Sequence, residues 1–86
     1  MRADEALEAV RGYAAANRVR LTRHALARME ERCVTSGDVR AALMSATSCQ
    51  LEPDARWLVG GGRDLGEAPL ALVVVIQDGV IVVTVF

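Results

Sequence analysis

Apolar positions recur at helical spacing in the first half of the chain and at strand spacing in the second. Residues 3–16 carry Leu7, Val10 and Ala14 among further alanines, three and four positions apart, which predicts a first helix. Arg18 to Leu21 break that pattern. Thr22 is placed to cap a second helix over residues 23–32, with Leu26, Met29 and Cys33 as its core stripe. Thr35-Ser36-Gly37-Asp38 sets a threonine at the N-cap and an aspartate three residues on, the start of a third helix. Val39, Ala42, Leu43 and Ala46 form its buried stripe, and it should end near Thr47.

After residue 47 the period shortens. Cys49 to Leu51 and Ala55 to Val59 read as short strands around the turn-forming Pro53-Asp54. Gly60 to Gly66 reads as a flexible connection, and its glycines lack the Lys and Ser/Thr of a phosphate-binding loop. Leu70 to Ile76 and Val80 to Phe86 are β-branched runs joined by Gln77-Asp78-Gly79, a strong hairpin signal. The expected fold is α+β: N-terminal helices packed on one face of a four-stranded antiparallel sheet. The last two strands are apolar on both sides of the pleat, whereas a strand facing water on one side should alternate. Their second face therefore calls for a cover, either the first helix or another protein chain, a second copy included. At roughly 25 cal/mol per Å², covering it is worth several kcal/mol.

Eighty-six residues make one small domain, 1–86, and 52% apolar content places it among ordered globular proteins. The longest apolar run is too short to span a bilayer, so no membrane role is expected. The acidic start, with Asp4, Glu5 and Glu8, lacks the apolar stretch of an export signal, and the expected compartment is the cytoplasm. Cys33 and Cys49 with a single histidine do not make a zinc set; both read as reduced, partly buried thiols, and no metal or cofactor is expected.

The net charge of −1 hides an uneven distribution. Residues 18–32 hold five arginines against two glutamates, and residues 33–86 hold three arginines against six acids. All ten basic residues are arginine, whose planar fork grips phosphate or carboxylate in two places. The mildly acidic whole argues against a broad nucleic-acid-binding surface.

Within the basic segment, His24, Arg28 and Arg32 follow one another at four-residue steps and fall on one side of the second helix. One imidazole beside two guanidiniums suits a phosphate group. Glu31 lies at a similar angle, as an orienting partner for His24 or an ion-pair partner for an arginine. Packing readings stand beside the chemical ones. A lone helical histidine commonly caps or hydrogen-bonds, the arginines can serve ion pairs, and Trp57 suits a sheet face better than a base-stacking platform.

The pattern His24-x-x-x-Arg28-Met29-x-x-Arg32, followed by Thr35-x-x-Asp38-Val39 and Ala42-Leu43, resembles a bacterial domain-of-unknown-function family, number 4258. Arg56-Trp57, the glycine-rich turn, the Val-rich strand and the closing Val83-Thr84-Val85-Phe86 fit as well. The resemblance covers residues 22–86 and leaves residues 1–17 as a helical extension. Members of that family look like the small RelE-like and BrnT-like ribonuclease toxins, which usually cut RNA without metal and are neutralised by an antitoxin protein. The resemblance thus implies a metal-independent ribonuclease of a toxin–antitoxin type, with RNA as substrate and an antitoxin as partner. His24 would be its acid or base, Arg28 and Arg32 would hold the phosphate, and Arg23, Arg56 and Arg63 would bind substrate. RelE-like toxins are typically basic, and this chain is not. The competing expectation is a non-catalytic interaction module that uses the arginine-rich helix face and the apolar sheet.

Overall fold

The computed structural model describes residues 1–86 and contains three helices and five strands. In chain order these are α1 (Ala3–Ala15), β1 (Val19–Leu21), α2 (Arg23–Glu31), α3 (Ser36–Ser45), β2 (Ser48–Glu52), β3 (Arg56–Gly60), β4 (Leu72–Ile76) and β5 (Val80–Val85). The sheet order is β1-β5-β4-β3-β2. Strands β2 to β5 form the expected antiparallel meander, but β1 joins its edge parallel to β5, Val19 pairing with Val80 and Leu21 with Val82. The sheet is therefore five-stranded and mixed, not four-stranded and antiparallel. Three residues are too few to show strand periodicity, so Val19-Arg20-Leu21 reads only as a break between helices.

Local signals account for the helix starts. Thr22 Oγ1 accepts from the Ala25 N–H at 3.0 Å. Thr35 and Asp38 close a reciprocal capping box, in which Asp38 accepts from Thr35 N at 2.9 Å and Thr35 Oγ1 from Asp38 N at 3.1 Å. The Asp38 carboxylate also accepts from Leu65 N at 3.1 Å, which ties the β3–β4 connection to α3. That connection is not the free linker expected of its glycines. Gly62 is buried against the Ala42 carbonyl, where a Cβ would collide with backbone, and Leu70 N donates to Gly62 O at 3.0 Å.

One face of the sheet carries the core. Val59, Leu72, Val74, Val80, Val82 and Val85 are buried there in one cluster with Ala6, Val10 and Ala14 of α1, Ala25 and Met29 of α2, and Val39, Ala42 and Leu43 of α3. Val82 and Val85 are three residues apart, an odd spacing that would send them to opposite faces of a regular strand. A bulge reconciles them: Val74 pairs with Val82 and Val73 with Thr84, leaving Val83 as the extra residue.

The second face has no helical cover. Leu58, Val73, Val75, Ile81 and Val83 are partly exposed and stand apart from the core cluster, and α1 packs on the opposite side. Two smaller expectations also change. Leu26 is 50% exposed while the neighbouring Ala25 is fully buried, and Cys33 is exposed while Cys49 is buried. The buried stripe of α2 is thus Ala25 and Met29, on the side of the helix that packs along β5.

Candidate functional site

Thr22 fastens the start of α2 to the sheet. Thr22 N donates to Val82 O at 3.1 Å and Thr22 Oγ1 donates to Val83 O at 3.2 Å. The same hydroxyl oxygen receives the Ala25 N–H, so one side chain both starts α2 and fastens it to β5. His24 follows two residues later, on the first turn.

At about 100° per residue, His24, Arg28 and Arg32 span a sector next to the one that Ala25 and Met29 bury. The three polar residues therefore occupy the shoulder of α2 beside the sheet. His24 is exposed and has no hydrogen-bond partner. Arg28 is the least exposed of the three; its Nη1 donates to Glu31 Oε2 at 3.3 Å, with side-chain exposures of 37% and 63%. Glu31 thus serves an arginine and makes no bond to His24. Arg32 is the C-cap of α2, where its backbone N–H donates to Arg28 O at 3.1 Å and its guanidinium is free in solvent. A cation there also complements the negative end of the helix dipole. Left-handed backbone at Cys33 (φ 56°) ends the helix immediately afterwards.

The other expected residues lie apart. Arg23 is exposed and unpaired at the first position of α2. Arg56 opens β3, separated from β1 by β5 and β4, and is exposed without a partner. Arg63 sits in the β3–β4 connection, its backbone N–H held by Ser45 Oγ at 2.9 Å and its guanidinium donating to Glu67 O at 2.9 Å. The nucleus of the site is therefore α2 alone, and neither Arg56 nor Arg63 is joined to it by a hydrogen bond or ion pair.

Most remaining arginines are committed internally. Arg2 pairs with Asp4, and Arg18 with Asp78 at 3.0 Å while lying over the Tyr13 ring. Arg11 donates to Ala46 O at 2.8 Å and Arg40 to Ala14 O at 2.9 Å. No three His, Cys, Asp or Glu side chains gather as a ligand set. A cleft of about 260 Å³ lies between β1 and α3 and is lined by Asn17, Val19, Leu21, Ser36, Gly37, Val39 and Arg40. His24, Arg28 and Arg32 line none of the clefts beside β1 and α1, and His24 and Arg32 are exposed on the α2 shoulder. The sequence marks Thr22 only as a cap; its bond to Val83 depends on β1 placing it beside β5.

The chain belongs to a family described as a domain of unknown function (DUF4258), whose model matches residues 21–86. The match takes in the last residue of β1, both later helices and the remaining strands, and leaves α1 outside. No curated protein and no solved structure matches the chain. No helix is long and apolar enough to cross a membrane.

Proposed function

We propose that the α2 shoulder is the working face of a small toxin-like, metal-independent ribonuclease of the toxin–antitoxin type, acting in the cytoplasm. The observation that carries this reading is the pairing of an exposed, uncommitted imidazole at His24 with a free guanidinium at Arg32 on one flank of α2, while most other arginines are bound within the fold. Exposed side chains on a helix flank suit a polymer laid across them better than an enclosed small molecule.

The reaction is intramolecular transesterification. The ribose 2′-oxygen bonds to the adjacent phosphorus and the bond from phosphorus to the 5′-oxygen breaks, leaving a 2′,3′-cyclic phosphate and a 5′-hydroxyl. Neutral His24 takes the 2′-hydroxyl proton, or its protonated form supplies the proton that the departing 5′-oxygen needs. Solvent exchanges the other proton. Arg32, and Arg28 once drawn away from Glu31, stabilise charge on the phosphorane oxygens. Arg23 holds flanking phosphate, and Arg56 and Arg63 are left for more distant contacts along the strand. A neutralising antitoxin would cover this face with carboxylates.

A second reading has its own observation. Arg28 already has Glu31, and His24 lacks any partner to orient its ring, which favours a non-catalytic module that binds a protein through this face. Induced expression of wild type and His24→Ala, with growth and total RNA followed together, separates the two. Arrest with RNA fragmentation by the wild type alone supports the nuclease. Normal growth and intact RNA from a folded, soluble wild type supports the binding module.

A further inference from the structure

The uncovered sheet face carries its charge in one row. Register places Arg20 beside Ile81 and Ile81 beside Val75. The pairings of Trp57 with Val74 and Glu52 with Arg56 continue that row across β3 to β2. Read across the outer face, it runs Arg20, Ile81, Val75, Arg56, Glu52: a cation on one edge strand and a carboxylate on the other. The next row, Thr84, Val73, Leu58, Gln50, carries no charge.

We propose that this face is the interface of a homodimer whose two-fold axis runs along β4, the middle strand. Such an axis sets β4 on its own copy and β1 of each protomer over β2 of the other. Val75 meets Val75, Val73 meets Val73, and Thr84 meets Leu58 of the partner subunit. Arg20 meets Glu52 of the partner subunit, and the symmetry repeats that ion pair at the other end. Arg56 lays its aliphatic stem along Ile81 of the partner subunit. Two sheets joined this way keep their strands aligned to within about 30°, as sheet sandwiches do. A two-fold axis across the strands would instead set β1 on β1, with no carboxylate opposite Arg20. Arg20 is available for the contact, because only one guanidinium nitrogen is engaged, by Gln77 O at 3.3 Å. Leu58, Val73, Val75 and Ile81 lose their remaining contact with water, which supplies the apolar drive.

The test is sedimentation equilibrium of the full chain over a wide concentration range, for wild type, Arg20→Glu, Glu52→Arg and the double swap. Wild type should dimerise reversibly. Each single swap creates two like-charge contacts and should raise the dimer dissociation constant about tenfold or more. The double swap should restore it. A wild type that stays monomeric, or a dimer that the single swaps leave unchanged, would overturn the proposal. So would a double swap that is weaker than either single one. The far-ultraviolet spectra of the variants confirm that the sheet has formed, and the readout does not depend on RNA cleavage.

Discussion

Thr22 and Val83 are joined by a 3.2 Å hydrogen bond from the threonine hydroxyl to the carbonyl at the β5 bulge. The same oxygen caps α2 through Ala25 N at 3.0 Å. One hydroxyl thus serves helix and sheet together at the start of the helix that carries the candidate site. Thr22→Ala should cost about 1–2 kcal/mol, and Thr22→Ser should recover most of it, as read from urea unfolding midpoints. Thr22→Val, which keeps the shape but neither bond, should resemble Ala.

Glu31 holds Arg28 in an exposed pair, so its removal should change stability by less than about 1 kcal/mol. On the proposed function, Glu31→Gln frees Arg28 for phosphate and removes a negative charge from the face. RNA affinity should rise, with a steeper dependence on salt, measured by fluorescence anisotropy at several ionic strengths.

Asp38 is held below the usual carboxylate range, first by the Thr35 N–H, then by the Leu65 N–H and the Thr35 side chain. A carboxylate whose folded pKa is depressed contributes stability that is complete above its unfolded value and is lost as pH falls through the folded one. The contribution should therefore be intact above about pH 4 and disappear on further acidification. Comparing urea midpoints of wild type and Asp38→Asn from pH 6 to pH 2 checks this. The gap between them should be constant near neutrality and close in acid.

Two glycines should respond to alanine with opposite signs. Gly12 lies within α1 with open space where a Cβ would go, so Gly12→Ala should stabilise by about 0.5–1 kcal/mol. At Gly62 the new methyl meets the Ala42 carbonyl, a backbone atom that cannot swing aside, and Gly62→Ala should destabilise by about 2 kcal/mol or more. Thermal melts of the two variants give the signs directly.

The features legible in the sequence are those fixed by local chemistry. Thr22 and Thr35 mark helix starts because a side-chain oxygen can reach its own helix, and Asp78-Gly79 turns the last hairpin with both residues at positive φ. What escaped reading depends on long-range placement. Val19-Arg20-Leu21 becomes a strand because β5 offers a parallel edge, and nothing within three residues announces that. Ala25 replaces Leu26 in the core because the packing of α2 on β5 sets which side of the helix turns inward. The glycine-rich connection is pinned because Gly62 meets α3, a contact made across the fold. For the site, the grouping of His24, Arg28 and Arg32 followed from helical spacing, whereas the separation of Arg56 from α2 follows from a strand order that spacing does not contain.

Whether His24 on the α2 shoulder drives RNA cleavage is tested most directly by end-group analysis of RNA incubated with purified protein in excess chelator. The wild type should release fragments bearing 2′,3′-cyclic phosphate and 5′-hydroxyl ends, slowed about a hundredfold or more by His24→Ala. RNA left intact by the folded wild type, or cut equally fast by His24→Ala, would rule out a histidine-driven ribonuclease at this face.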